Sequence, residues 1–197
     1  MDWLNFDYKS LLAQIGLPLA FLIIFAESSL IFFLPGDSFI LVAGVLASQG
    51  YFNIWLLLIV MFIAAITGNN LGYFLGKKYG PRLFSRENHL LFDKNHIERA
   101  KSFYAKYGPI TIVLARFTPM VRTLAPILAG VGHMNYQTFF FYNVIGAFLW
   151  VAGLGLVGYW AGGLIPNVDR YILPAVIIVI VLSVLPGLFS VLRNRNR

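Results

Sequence analysis

Four ionisable residues lie within long apolar stretches of the sequence: Glu27, Asp37, Arg116 and Arg122. Charged side chains at membrane depth are costly, and by default they serve a function. Two arginines can bind a phosphate group through planar, bidentate hydrogen bonds, and two carboxylates can take up and release protons. The four residues therefore predict an anion site with proton coupling. The alternative is a pair of structural salt bridges that lock two membrane segments together, and the two interpretations are compatible.

The arginines lie in residues 109–132, PITIVLARFTPMVRTLAPILAGVG, which also contain Pro119 and Pro126. One helix of this length would be about 36 Å long, enough to cross a bilayer core. Two arginines near the midplane would cost about 5–7 kcal/mol, however. The prolines also free backbone groups that lipid cannot satisfy. We therefore expect a re-entrant hairpin that is broken at Pro119 and Pro126 and carries the arginines near its tip.

The carboxylates lie in a second interrupted segment, residues 18–50. Glu27 stands in an otherwise apolar run, and the turn-forming pair Pro35 and Gly36 comes directly before Asp37. This pattern predicts another re-entrant hairpin, with its break at Pro35 and Gly36. The charged residues of this first hairpin are acidic, whereas those of the hairpin at 109–132 are basic.

The composition is that of an integral membrane protein, because 59% of the residues are hydrophobic and only 12% are charged, against about 25% in soluble domains. We expect a single membrane domain. A short interfacial helix is predicted at residues 7–15, with Gly16 and Pro18 as stop signals. The other predicted elements are full spans at 52–76, 137–162 and 170–192, a basic cytoplasmic loop at about 77–92 and an amphipathic helix at 93–107.

Sliding the sequence along itself by 86 residues suggests an internal repeat. Ala43-Gly44-Val45 then falls on Ala129-Gly130-Val131, and Gly72-Tyr73 falls on Gly158-Tyr159. The predicted fold is an all-α polytopic membrane protein. Its repeated unit is an interfacial helix, a re-entrant hairpin and a transmembrane helix, and a C-terminal transmembrane helix at about 170–192 follows. The two copies cover about 7–76 and about 93–162.

The net charge of +7 is concentrated in two places. Residues 77–107 hold eight Lys and Arg residues against three acids, and the tail carries Arg193, Arg195 and Arg197. Basic loops face the cytoplasm, so both segments are expected there, with the N-terminus outside. Residues 109–132 must then re-enter rather than cross, and the two copies are inverted, as in many secondary transporters. The basic charge indicates membrane topology, and no nucleic-acid partner is expected.

Signals for catalysis are absent from the sequence. It contains no Cys, no His, Asp and Glu set at metal-binding spacing, no GxSxG and no Gly-rich phosphate loop. We expect no enzyme, no catalytic residue, no metal and no cofactor. Asn69 and Asn143 could line a cavity, and hydrogen bonding between helices is an equal alternative.

Several motifs resemble those of the DedA family, also described as SNARE-associated or VTT-domain proteins. The resemblance covers nearly the whole chain. The motifs are FxxPGD at Phe32 to Asp37 with Glu27 upstream, GxxxGYxxG at Gly68 to Gly76, ARFxPxVRTxAPxxAG at Ala115 to Gly130, and FxxYNxxGAxxW at Phe139 to Trp150.

The resemblance implies a multi-pass protein of the bacterial inner membrane with two facing re-entrant hairpins. It also implies transport of a lipid carrier, in particular the return of undecaprenyl phosphate across the membrane, coupled to the proton gradient. Carried over by motif, Arg116 and Arg122 would bind the phosphate, and Glu27 and Asp37 would couple protons. Many members have Asp where this chain has Asn69.

The predicted function is therefore proton-coupled translocation of a polyprenyl phosphate or a phospholipid head group. The expected partners are that anionic lipid, protons and the surrounding membrane lipids, and a homo-oligomer remains open. Two alternatives are a nonenzymatic membrane scaffold with structural charge pairs and a proton-coupled carrier of a small soluble anion.

Overall fold

The computed structural model describes residues 8–29, 36–83 and 107–164. Within these ranges the secondary structure is helical and includes no strand. A short 3-10 turn, Gly108–Ile110, leads into the fourth helix. The helices are α1 (Tyr8–Ser29), α2 (Gly36–Ser48), α3 (Ile54–Leu83), α4 (Thr111–Ala115), α5 (Pro119–Val131) and α6 (Tyr136–Leu164).

Two of these helices, α3 and α6, are long and apolar enough to cross a membrane. Each is preceded by an asparagine whose side chain accepts hydrogen bonds from the first-turn N–H groups. Asn53 accepts from Trp55 and Leu56 at 3.0 and 3.2 Å, and Asn135 accepts from Gln137 at 2.9 Å. Such caps satisfy donors that a helix start otherwise leaves unpaired. The predicted spans 52–76 and 137–162 are thus confirmed as long apolar helices. The predicted start of the basic loop at about residue 77 is wrong, because α3 continues to Leu83.

The predicted end of the first helix at Gly16 and Pro18 is wrong. Helix α1 runs without interruption to Ser29 and contains Pro18. Proline has a backbone φ compatible with a helix and removes one hydrogen bond, a loss that neighbouring groups can offset in an apolar environment. Gly16 is a packing position, since a Cβ there would lie 2.5 Å from the ring of Phe52.

Residues 109–132 are broken into two helices, and the break lies at 116–118. Thr118 has an extended backbone, as the residue before a proline prefers, and Pro119 then occupies the first position of α5. The predicted break at Pro126 is wrong, because α5 continues through it to Val131. Helices α4 and α5 contact each other. At about 1.5 Å per residue neither is long enough to cross a bilayer core of about 30 Å.

The chain divides into two compact units, and helices α1, α3 and α6 each contribute residues to both. Unit 1 comprises residues 1–24, 33–63 and 151–197, and unit 2 comprises residues 25–32 and 64–150.

In each unit a glycine allows one helix to lie directly on the backbone of another. In unit 2, a Cβ on Gly130 of α5 would overlap the carbonyl oxygen of Tyr73 on α3. In unit 1, a Cβ on Gly44 of α2 would lie 3.0 Å from the backbone nitrogen of Tyr159 on α6. Side chains larger than hydrogen are therefore excluded from both contacts.

Several predicted features lie outside the described residues: the break residue Pro35, the basic loop beyond residue 83, the amphipathic helix up to residue 106 and the span at 170–192. Gly36 is described and is the first residue of α2.

Candidate anion-binding site

Arg122 and Glu27 form a buried ion pair in unit 2. Arg122 lies in the first turns of α5 and Glu27 lies near the end of α1, and their side chains are 9% and 1% exposed. Nη2 of Arg122 donates to Oε1 of Glu27. The pair joins two helices whose residues are 95 positions apart in the sequence. The charge of Arg122 is therefore offset by a carboxylate within the protein.

Arg116 lies at the break between α4 and α5, and its charge is not offset in this way. Its side chain is 4% exposed. Nη2 donates to Oδ1 of Asn143 at 2.6 Å and to the carbonyl oxygen of Ala65 at 3.4 Å. Among the described residues, no carboxylate lies within ion-pair distance of this guanidinium, and its Nε has no hydrogen-bond partner.

Buried amide side chains hold Arg116 in place. Asn143, on α6, is fully buried, and its Nδ2 donates to the carbonyl oxygen of Ile66 at 3.2 Å and to Oδ1 of Asn70 at 3.4 Å. Asn69, on α3, donates to Oδ1 of Asn143 at 2.9 Å. With the Asn69 amide turned by 180°, it would donate to the carbonyl of Ser28 and accept from Arg116, both at 2.9 Å.

The indole of Trp150 lies beside both arginines. The guanidinium carbon of Arg116 is 5.8 Å from the ring centroid, and that of Arg122 is 5.1 Å from it. The two guanidinium carbons are therefore separated by no more than the sum of these two distances. Cation–π attraction of each guanidinium to the ring offsets part of the repulsion between them.

Two glycines let the backbone come close enough to build this cluster. A Cβ on Gly68 of α3 would lie 2.7 Å from the carbonyl oxygen of Phe25, so α1 packs directly on α3 near Glu27. A Cβ on Gly146 of α6 would lie 3.0 Å from Cδ and 3.2 Å from Nε of Arg116. The side chain of Arg116 thus crosses the face of α6 at a position without a side chain.

The cluster holds one positive charge more than it offsets. Of the described residues, the buried charged ones are Glu27, Arg116 and Arg122. An uncompensated buried charge costs several kcal/mol, and a bound anion would offset that cost. Two guanidinium groups beside each other suit the oxygens of a phosphate. No group of three His, Asp or Glu that could hold a metal ion occurs in ranges 8–29, 36–83 and 107–164.

Most residues singled out in the sequence come together here. Glu27, Arg116, Arg122, Asn69 and Asn143 all belong to unit 2 and are buried.

Asp37 belongs to unit 1 and is half-buried in the first turn of α2, where a carboxylate is favoured by the helix dipole. Its predicted role in proton coupling stays a prediction.

Sequence reasoning gave no role to Trp150. A signal was available, because Asn143, Gly146 and Trp150 recur at helical spacing and share one face of α6. No sequence pattern indicates which residues each arginine contacts.

Comparison with known proteins identifies the family. The VTT domain matches residues 34–160. The protein of Escherichia coli K12 named Protein DedA is 43% identical over 180 residues, which is 89% of this chain and 82% of the relative. This chain belongs to the VTT-domain family, the DedA family. An uncharacterized membrane protein of Mycobacterium leprae is 35% identical over 175 residues, 88% of this chain and 78% of the relative.

The predicted family is therefore confirmed, and the protein is a membrane protein of the DedA family. A further member, inner membrane protein YqjA of Escherichia coli K12, is 31% identical over 144 residues, 72% of this chain and 66% of the relative. No solved structure matches the chain. The VTT domain covers the parts of the cluster on α3, α4, α5 and α6, whereas its residues on α1 lie before the matched range.

Proposed function

We propose that this DedA-family protein translocates a lipid with a phosphate head group, such as undecaprenyl phosphate or a phospholipid, with coupled proton movement. The observation that carries the proposal is the charge of Arg116. It is buried, held by amides and backbone, and has no carboxylate within ion-pair distance among the described residues. A phosphate bound there would supply the missing negative charge.

The surroundings of Arg116 favour an amphiphilic anion over a small soluble one. Its neighbours Leu114 and Phe117 are 49% and 59% exposed, and Val121 is 42% exposed. Exposed apolar side chains of this size, in a membrane protein, suit contact with acyl or prenyl chains. A lipid could therefore place its phosphate at the buried arginines and its tail along these residues.

Proton coupling has a physical route through the pair of Arg122 and Glu27. Protonation of Glu27 would remove the negative charge that Arg122 contacts, so that both arginines could bind the phosphate. Deprotonation would restore the pair and weaken phosphate binding. Asp37 is the second proton carrier in this proposal, on the basis of its motif.

The proposed architecture is two re-entrant hairpins in an inverted repeat. It is supported by contacts that match under the 86-residue shift. Gly130 packs on Tyr73 in unit 2. Its equivalent Gly44 packs in unit 1 on Gly155 and Tyr159, so the equivalent helices meet with the contact centred one turn before the equivalent of Tyr73. Gly72 also lies near Ile127, as Gly158 lies near Leu41. Matching contacts of this kind are expected of repeated units.

We place the protein as a multi-pass protein in the bacterial inner membrane, which two observations support. Helices α3 and α6 are long enough to span, and the relative YqjA is named an inner membrane protein.

A membrane scaffold is the second candidate. It is favoured by the Arg122–Glu27 ion pair and the Asn69–Asn143 hydrogen bond, because each joins two helices through side chains of the protein alone. Under this alternative the charges only join helices, and no lipid is moved.

The test is transport of labelled undecaprenyl phosphate and of labelled phospholipid in proteoliposomes, with and without a pH gradient. Arg116→Lys and Arg122→Lys keep the charge but lose the planar fork, and we expect the rate to fall by about tenfold or more. Lys77→Gln removes an exposed charge from α3 and is the matched control, with unchanged transport expected.

Two outcomes would contradict the proposal. Wild-type rates in both Lys variants would exclude a specific phosphate site. A folded wild-type protein that moves neither lipid, in either condition, would favour the scaffold.

A further inference from the structure

Asn69 has an unusual position among the buried polar residues of unit 2. It is 3% exposed, and its amide lies within hydrogen-bond distance of Asn143 and, in its other orientation, of Arg116 and the Ser28 carbonyl. It therefore stands where a carboxylate would form an ion pair with Arg116. An amide at this place hydrogen-bonds without adding charge.

We propose that Asn69 sets the charge of the anion site: its neutral amide helps to position Arg116 without neutralising it, and so reserves one positive charge for a phosphate group. This inference rests on the proposed function. The ligand chemistry is a phosphate monoester or diester, carried either on a lipid or as a free anion.

The charges of the cluster support this role. Arg122 already has Glu27 as its counter-ion, so binding of an anion draws mainly on Arg116. Arg116 is fixed by Asn143 and by the carbonyl oxygen of Ala65, which also leave its charge intact. A carboxylate at position 69 would cancel the excess and compete with the ligand for the same guanidinium.

Asn143 is less suited to this role than Asn69. Its Nδ2 donates two hydrogen bonds, to Ile66 and Asn70, whereas Nδ2 of Asn69 donates one in either orientation of its amide. An aspartate there would lose both donated bonds. Position 69 is therefore the place where a single change alters the charge with the least disturbance of the hydrogen bonds.

The experiment measures binding of farnesyl phosphate to the purified full chain in detergent at pH 8, by calorimetry. Farnesol tests whether the phosphate is needed, and inorganic phosphate distinguishes a lipid head group from a free anion. The variants are Asn69→Asp, Asn69→Ala, Glu27→Gln and the double variant Asn69→Asp with Glu27→Gln. Each is checked for folding by thermal unfolding before titration.

We expect Asn69→Asp to weaken binding by about tenfold to a hundredfold, the order that one added charge at contact distance produces. Asn69→Ala removes the amide without adding charge and should weaken binding less. Glu27→Gln should tighten binding, and the double variant, whose net buried charge equals that of the wild type, should return to near wild-type affinity. Rescue by a change at Glu27 is not expected of a purely structural role.

Equal binding by Asn69→Asp and wild type would overturn the inference, and so would a loss in Asn69→Ala as large as in Asn69→Asp without rescue in the double variant. Failure of the wild type itself to bind farnesyl phosphate and inorganic phosphate would instead contradict the proposed function. Tighter binding of farnesyl phosphate than of either control would assign the site to a lipid head group, whereas equal binding of inorganic phosphate would assign it to a free anion.

Discussion

Gly146→Ala should impair the site more than it impairs the fold. The new Cβ would lie 3.0 Å from Cδ of Arg116 and 3.3 Å from Cα of Val113, tighter than an ordinary contact. Overpacking of this kind costs about 1–3 kcal/mol, and replacing glycine by alanine inside a helix returns about 0.8–1.0 kcal/mol. The free energy of unfolding should therefore fall by no more than about 2 kcal/mol.

The effect on binding should be larger, because the guanidinium must move. A guanidinium moved from its place beside Asn143 can no longer direct its N–H groups at the phosphate, and a charged hydrogen bond of this kind contributes about 1.5–3 kcal/mol. Loss of one such bond to the ligand corresponds to about tenfold to a hundredfold in affinity. The assays are thermal unfolding in detergent and titration with farnesyl phosphate.

Gly153→Ala is the matched control on the same helix, because a Cβ there would meet no atom within 4 Å. We expect its stability to be unchanged or slightly raised and its binding to equal that of the wild type. Wild-type binding by Gly146→Ala would show that Arg116 is not held against α6 as described. Equal losses in both variants would indicate a general effect of alanine in this helix.

Three further predictions concern coupling, packing and topology. Glu27→Gln should insert and still transport lipid but lose the dependence of its rate on the pH gradient in proteoliposomes; retained dependence would exclude Glu27 as the coupling group. Gly130→Ala should lower the free energy of unfolding by about 1–3 kcal/mol, because its Cβ would overlap the backbone at Tyr73, and thermal unfolding at the level of Gly153→Ala would contradict this contact. Single cysteines at positions Ser85 and Asn194 should both be labelled only from the cytoplasm, since both lie in basic segments, and labelling from opposite faces would make residues 109–132 a full span.

The buried charges and the broken segment could be predicted because their cost in lipid is local. Two arginines in an apolar run, with a proline between them, contradict a straight span wherever the chain goes next. The long helices α3 and α6 could also be predicted from local sequence, since their apolar length alone is enough to cross the bilayer core.

The roles of the other prolines could not be predicted in this way. A proline inside an apolar sequence can end a helix or remain within it, and the outcome depends on the groups that pack around it. Pro18 and Pro126 both remain within helices, whereas Pro119 begins one. The sequence indicates a helix end at Gly16 because the contact with Phe52, which explains the glycine, joins residues far apart in sequence.

The pairing of charges was likewise beyond the sequence. Either arginine could have been the partner of Glu27, and only the packing of α1, α3 and α5 decides that it is Arg122. That choice matters for function, because it leaves Arg116 with amides and a carbonyl in place of a carboxylate.

The division of roles between the two arginines follows from this asymmetry. Hydrogen bonds from amides fix the position of a guanidinium, but they leave its charge and most of its desolvation cost uncompensated. The ligand-free state therefore keeps an unfavourable electrostatic energy at Arg116, which a bound phosphate would offset. Arg122 differs, because a phosphate must first compete with Glu27. In the proposed function, Arg116 would contact the head group in either protonation state of Glu27, and Arg122 would contact it only when Glu27 is protonated.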